Sequence, residues 1–246
     1  MKRDKKKQEM KVYGKHACLK LFEKRPQDII RAYVTQETLF DLKPIIRHCV
    51  DHKLAYHMVS TEELDELTKA THHEGAALIV KTKKLPELEE LLSPKGEGLI
   101  IALEEVQNPH NLGAIMRTAA HFGVKGILYQ ANVPVAQTAA AYRTSEGGAE
   151  IVPALQVKEW SDVFTRAKKA GYHFYATSSH EGTSLYETEF QPKAILFLGS
   201  EAKGLSAGLL KKMDTRLSIP GTGEVESLNV SNATAAILTE WYRQGL

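Results

Sequence analysis

Cysteine is almost missing: Cys18 and Cys49 are the only two thiols among 246 residues. Isolated and without metal-type spacing, they argue against a disulfide framework and for the cytoplasm as compartment. Long apolar runs are missing as well, and none approaches the ~20 residues of a membrane span. The opening "MKRDKKKQEM" is basic but leads into no apolar stretch, so it does not read as a secretory signal. Net charge is slight too. Thirty-two Lys and Arg against 30 Asp and Glu leave +2, too little to establish a nucleic-acid partner alone.

What the chain does have is a globular composition, 43% hydrophobic and 25% charged, with a core large enough to need no staples. Its length suits one or two domains. Basic residues crowd the amino end, with six in the ten of "KRDKKKQEMK" and more at Arg25, Arg31, Lys43 and Arg47. Residues 1–9 read as a flexible basic tail, a form that still binds phosphate by counterion release.

Two blocks follow. Residues 10–84 read as a small α/β unit. A helix runs after Gly14 until Pro26, and "IIRAYVT", "AYHMVS" and "AALIVKT" are strands by their β-branched content. A second helix is expected from Leu39 to His52. Ser60 and Glu63 form a capping box for a third. Residues 85–97, charged and holding prolines, glycines and a short helix, read as a linker. Residues 98–246 alternate strand and helix: "LIIALEEV", helix Leu112–Phe122, "KGILYQ", a helix, "AEIVPALQV", helix Ser161–Ala170, "YHFYATSS", "AILFLGS", a short helix, "TRLSIPG" ending at Pro220, and a last helix Val230–Tyr242. The alternation implies an α/β fold with a parallel sheet covered on both faces, whose ligands sit at the carboxyl ends of the strands.

Unusual residues cluster at those ends. "LFLGSEAKGLS" leaves its strand through Gly199, with Glu201, Lys203 and Gly204 following, yet it matches no phosphate-loop spacing. "IPGTGEVESLNVSNATAAIL" offers Ser227, Asn229, Ser231 and Asn232 as helix N-caps, four within six residues where one is needed. The surplus amides and hydroxyls suit a polar ligand read through neutral hydrogen bonds. "YATSS" ends another strand on Thr177 and Ser178, by itself an ordinary turn. "NPHNLGAIMRTAAHFGV" puts Asn108 and Asn111 at a helix mouth and Arg117 among its small and apolar residues.

Asn111 and Arg117 in the last of these stretches, the Gly-x-Glu-x-x-Gly of "LGSEAKGLS" and the "IPGTGEVESLNVSNATAAIL" run resemble, in order, the three motifs of the SpoU (TrmH) branch of the SPOUT RNA 2′-O-methyltransferases. The resemblance covers residues 99–246. The block ahead of it is similar to the RNA-binding domain of the group that methylates a guanosine ribose in large-subunit ribosomal RNA. Two stretches depart from that pattern: "THHEGAALIVK" has Glu74 where glutamine is usual, and "YRTSEGGAEIVP" carries Glu146 and an extra glycine.

The resemblance implies a SPOUT fold with a carboxyl-terminal trefoil knot, against the general rule that chains do not thread. It implies S-adenosylmethionine as cofactor, held at Thr177, Gly199, Ile219 and Leu228. The catalytic set it implies is Asn111, Arg117, Glu201, Ser227 and Asn229. Arg117 serves the ribose 2′-hydroxyl as base, as polarising group or as clamp on the adjacent phosphate; a guanidinium does not readily give up its proton, so the place is firmer than the role. Asn111 holds the ribose or its phosphate, and Glu201 orients Arg117 or an amide. Partners implied are RNA, ribosomal for preference, and a second copy of the chain. Ile237, Leu238, Trp241 and Tyr242 of the last helix, with Ala114, Ala119 and Ala120 of the arginine helix, supply apolar area for that homodimer. Neither DNA nor a membrane is expected, and no metal, because His110, His121 and the His72–His73 pair lack partnered ligand spacing. Competing readings are a tRNA 2′-O-methyltransferase and a catalytically silent RNA-binding or ribosome-assembly factor on the same scaffold. A nucleotide-dependent dehydrogenase fails, since no glycine fingerprint follows Leu99–Glu104.

Overall fold

The computed structural model describes residues 9–93, 96–130, 136, 138–178, 182–200 and 203–245. Its first sheet is built from β1 (Glu9–Tyr13), β2 (Ile29–Val34), β3 (Ala55–Met58) and β4 (Ala76–Lys81) in the order β1-β4-β2-β3. Pleating sends alternate residues to opposite faces. Val12, Ala32, Val34, Leu78 and Val80 therefore pack with Ala17, Cys18 and Leu21 of α1 (Lys15–Lys24) and Ile45 and Cys49 of α2 (Lys43–Asp51). Tyr13 and Ala77 face the other way, onto Leu64 of α3 (Thr61–Thr68). The expected capping box starts α3: Ser60 Oγ accepts the Glu63 amide and the Glu63 carboxylate accepts the Ser60 amide.

Two expectations for this block change. Residue 9 does not belong to a tail: Glu9–Tyr13 is a strand paired residue by residue, antiparallel, with β4. Its charged residues conceal it in the sequence, because the pairing that makes it a strand lies far along the chain. Helix α2 begins at Lys43 rather than Leu39, where Pro44 occupies the first turn and suits a helix start. Residues 36–42 form turns instead, held by the Thr38 hydroxyl donating to the Gly75 carbonyl at 2.7 Å.

After the short α4 (Leu88–Leu91), a second sheet takes β5 (Gly98–Glu104), β6 (Gly126–Gln130), β7 (Ala154–Gln156), β8 (His173–Thr177), β9 (Thr183–Ser184), β10 (Lys193–Leu198) and β11 (Thr215–Ser218). Their order is β7-β6-β5-β10-β8-β11-β9, with parallel pairing throughout. Both faces are covered. Leu99, Ile101 and Leu103 of β5 join Ile115 and Met116 of α5 (Pro109–His121) and Ile237 of α10 (Val230–Arg243). Ile100 and Ala102 turn to Trp160, Val163 and Phe164 of α8 (Trp160–Lys169) and Leu209 of α9 (Ala207–Leu210). No helix among the described residues is long and apolar enough to cross a membrane.

Between β6 and β7 the chain forms α6 (Ala139–Thr144) and α7 (Gly148–Ile151), so "AEIVPALQV" is not one strand. Its first residues are a helical turn opened by Gly147 at φ +90, and only Ala154–Gln156 is extended. Gly147 also answers to packing, since a Cβ there would lie 2.5 Å from Lys20 Cβ on α1. That accounts for the extra glycine of "SEGGAE". Strand β11 ends at Ser218, two residues short of Pro220. Helix α5 starts three residues before Leu112, because Asn108 caps it and Pro109 fits its first turn. In α10, Ile237, Leu238 and Trp241 are buried within their own chain. The apolar area offered for a second copy is thus spent internally, apart from Tyr242, which is 60% exposed.

Candidate active site at the carboxyl ends of the parallel strands

Sheet order brings three of the four expected cofactor residues together. Strands β10, β8 and β11 are neighbours, with Phe197 opposite Ala176 and Thr177 opposite Leu217. Thr177, Gly199 and Ile219 therefore leave adjacent strands at their carboxyl ends, all half-buried, and the Ser178 amide ties two of these ends by donating to the Leu217 carbonyl at 2.9 Å. Leu228 stands apart, in the loop after β11, with 52% of its surface exposed. Its neighbour Val225 is 76% exposed. Apolar side chains this open lack a cover within the described chain.

Gly199 has a local requirement stronger than cofactor contact. A Cβ on it would lie 2.1 Å from the Gly204 carbonyl carbon, with the Leu205 nitrogen at 2.4 Å. The loop closes on itself here through the Gly204 amide donating to Ser200 O at 2.8 Å, and Gly204 itself is left-handed at φ +63. Glu104 at the end of β5 fastens the loop by accepting the Ser206 amide at 2.7 Å. Lys203, 3.5 Å from Glu105 and mostly exposed, is a solvated surface cation. Glu201 lies outside the described residues.

At the mouth of α5, Asn108 Oδ1 accepts the His110 amide at 2.9 Å and closes the cap. Asn229 plays the same part for α10, accepting the Ser231 amide and hydroxyl. Of the four N-cap candidates, Asn229 is the cap, Ser231 and Asn232 lie in the first turn of the helix, and Ser227 precedes it. The two helix mouths meet: Asn229 Nδ2 donates to Asn111 Oδ1 at 3.3 Å. Two of the expected catalytic residues, 118 apart in sequence, are joined directly. Ser227 is exposed in the loop just before them.

Arg117 lies two turns into α5, exposed, and makes no ion pair or hydrogen bond among the described residues. Its helix is nonetheless held tightly. A Cβ on Gly113 would meet Thr144 Cβ at 2.6 Å, and one on Gly148 would lie 2.7 Å from Met116 O and 2.9 Å from Arg117 Cα. Helices α6 and α7 therefore press on the backbone that carries the guanidinium. No group of three or more His, Cys, Asp and Glu residues is placed to hold a metal among the described residues.

Sequence reasoning passed over a polar seam beside this site. His110 Nδ1 lies 3.2 Å from the Thr144 hydroxyl. Arg143, the next residue back, donates from Nε to the His72 carbonyl at 2.6 Å and pairs with Glu74 at 3.4 Å. Glu74 also accepts the Lys15 amide at 3.0 Å. "THHEG" and "YRTSEGG" stood out in the sequence as departures from a pattern. Nothing in their spacing placed them against each other.

Comparison with known proteins follows the same division. A model of the SpoU rRNA methylase family matches residues 98–239. A model of RNA 2′-O ribose methyltransferase substrate binding matches residues 11–86. The chain is 38% identical over 238 residues to the uncharacterized tRNA/rRNA methyltransferase YfiF of Escherichia coli O157:H7, spanning 96% of this chain and 69% of that one. With the 23S rRNA (guanosine-2′-O-)-methyltransferase RlmB of Shewanella oneidensis it shares 33% identity over 237 residues, 95% of this chain and 96% of that one. The fold is similar to that of an AdoMet-bound rRNA methyltransferase from Sinorhizobium meliloti, with a TM-score of 0.81 at 20% identity, covering 100% of this chain and 91% of that one.

Proposed function

Because the chain belongs to the SpoU rRNA methylase family, we propose that it methylates the 2′-hydroxyl of a guanosine ribose in large-subunit ribosomal RNA. S-adenosylmethionine is the donor and the cytoplasm the place. Residues 10–84 serve as the RNA-binding unit, 85–97 as linker and 98–246 as the catalytic unit, the last with a trefoil knot. The knot belongs to the reading through the family resemblance. The observation that carries the reading is the exposed Arg117, without an ion pair or hydrogen bond among the described residues, on the helix whose mouth, at Asn111, is bonded to Asn229.

The residues at the strand ends fit the cofactor. Thr177, Gly199 and Ile219 leave neighbouring strands side by side, which suits a ligand read by backbone, and Leu228, exposed in the loop after β11, is an apolar group that loop can bring to an adenine face. When bound, S-adenosylmethionine supplies an electrophilic methyl group on a sulfonium. The chain's own work is to position and stabilise. Asn111 and Asn229 hold the ribose. Arg117 donates to the 2′-oxygen or its neighbouring phosphate and steadies the negative charge that grows as the hydroxyl proton leaves to water. Arginine does not take that proton, since guanidinium stays protonated in proteins. Ser227 and Glu201 complete the set as groups that orient the RNA and Arg117.

A homodimer belongs to the same reading, through the family resemblance rather than through α10, whose apolar face is used internally. Light scattering should give about twice the 27.3 kDa chain mass. Incubating the full chain with methyl-labelled S-adenosylmethionine and unmodified ribosomal RNA tests the function. Label is expected in alkali-resistant nucleotides, because a methylated 2′-oxygen blocks hydrolysis. Label appearing only in tRNA would correct the substrate, and none in either RNA would refute the reading.

A further inference from the structure

Arg143 sits where the first sheet's loops meet the catalytic helices. Its stem crosses Gly14, where an added Cβ would lie 3.1 Å from Arg143 Cγ. Its Nε is committed to the His72 carbonyl at 2.6 Å, while the end of the fork has only a long 3.4 Å contact to Glu74. Both side chains reach solvent, at 29% and 35% exposure. Beyond Glu74 the seam continues to Lys15, whose Nζ pairs with Asp41 at 2.8 Å. Charges along it alternate, Asp41, Lys15, Glu74, Arg143, so the cations are present but neutralised.

Glu74 is held at a cost. It is left-handed at φ +53 and followed by Gly75 at φ +69, where a Cβ would lie 2.5 Å from Thr38 Cγ2. A bulky residue in that conformation is strained, and strain of this kind collects at functional sites. The strained turn carries the carboxylate to Arg143. On the other side, Thr144 touches His110 and Gly113, on the first turns of the helix that bears Asn111 and Arg117. Arg143 is thus one residue from the contacts that define the mouth of the candidate site.

We infer that Arg143 is an RNA phosphate-binding residue masked by Glu74, and that RNA backbone reaches the α5 mouth along this seam. A phosphate accepts both arms of a guanidinium fork, which the single long contact to Glu74 does not use. Binding exchanges the carboxylate for the phosphate, while Glu74 keeps its bond to the Lys15 amide. The inference rests on the RNA methyltransferase reading above. A plain strut between the two sheets would predict lost stability when either partner is removed and no effect specific to phosphate.

The test is binding of the full chain to a fluorescein-labelled RNA hairpin over a salt series, without S-adenosylmethionine. Arg143→Met should weaken binding and flatten the slope of log affinity against log salt by about 1, the signature of one lost phosphate contact. Arg143→Lys should keep the slope with weaker binding, which guards against a methionine variant that fails to fold. Glu74→Gln should tighten binding severalfold at fixed salt, and that gain should vanish when combined with Arg143→Met. An unchanged slope in folded Arg143→Met, or a Glu74→Gln gain that survives the double substitution, overturns the inference. Methyl transfer by the wild-type chain, assayed separately, keeps the two readings apart. Transfer with an unchanged Arg143→Met slope sinks this inference alone, and the expected slopes without transfer sink only the enzymatic step.

Discussion

Arg25 and Glu150 form a two-point ion pair across the junction of the two sheets, Nε to Oε2 at 2.8 Å and Nη2 to Oε1 at 2.9 Å. The Glu150 side chain is 1% exposed and that of Arg25 is 7%. Lys83 adds a second cation, 3.9 Å from Glu150 Oε2, and donates to the Ala149 and Glu150 carbonyls. Burial pushes the Lys83 pKa down and the Glu150 charge works against that push. Burial, then the same carboxylate, pushes the Tyr142 phenol up. The two sheets are therefore fastened to each other by side chains as well as by the chain that joins them.

Breaking this pair should be costly. Glu150→Ala leaves Lys83 without its carboxylate and Arg25 with only Asp28, 3.3 Å away, in a buried site, and a loss of about 3–5 kcal/mol is expected in denaturant unfolding. Arg25→Met together with Glu150→Leu should recover most of that loss, since apolar replacements of similar volume are often neutral. A single-variant loss below about 1 kcal/mol, the range of exposed pairs, would show that the junction is open in solution.

Arg117→Ala should lower methyl transfer by at least about 100-fold, the usual effect of deleting a charge-stabilising donor. Affinity for S-adenosylmethionine should hold, because the guanidinium lies on the RNA side. Unfolding stability should move by no more than about 0.5 kcal/mol, as befits an exposed side chain with no partner among the described residues. Steady-state transfer, calorimetry with the cofactor and a melt together check this. Undiminished turnover would make Arg117 a surface residue.

Gly199→Ala should act in the opposite way. A methyl group 2.1 Å from the Gly204 backbone cannot fit unless the loop opens. Destabilisation of about 1–3 kcal/mol, typical of overpacking, should accompany loss of cofactor binding. Calorimetric binding of unaltered strength would mean that this loop does not line the cofactor site.

Acid titration should single out Glu240. Hydrogen bonds from Arg243 first, and then Gln244, hold its carboxyl down at about 2, well below its ordinary 4.5. The stabilisation from this depressed pKa is complete above the ordinary carboxylate range and is lost as pH falls toward 2. Carboxyl carbon shifts followed by NMR should show a midpoint near 2 that moves up toward the ordinary value in Arg243→Ala. A wild-type midpoint already at the ordinary value would show that the last turn of α10 is frayed.

Much of the parallel half was legible because its strands are short, β-branched apolar runs between turn residues. The three polar stretches at their carboxyl ends marked the candidate site. What escaped depends on contacts distant in sequence. Strand β1 carries two charges, Glu9 and Lys11, among its five residues and exists through its pairing with β4, far along the chain. Helix α7 reads as strand, yet Glu150 reaches a partner 125 residues away and Gly147 turns left-handed to let α1 approach. Ile237 and Trp241 looked surplus on an amphipathic helix, because the core that buries them, shared with α5, cannot be inferred from α10 alone. At the site itself, the Asn111–Asn229 bond joins two motifs whose residue types were plain but whose meeting was not.

The most direct test of the account is a nucleotide-resolution map of 2′-O-methylation in ribosomal and transfer RNA from cells lacking this chain. The cells are complemented with the wild-type protein or with Arg117→Ala. One ribose methyl, on a guanosine of large-subunit ribosomal RNA, should be missing without the chain, return with the wild type and stay missing with Arg117→Ala. Identical maps in all three cells, or a mark restored equally by both proteins, would contradict the claim that this helix mouth transfers methyl groups to RNA.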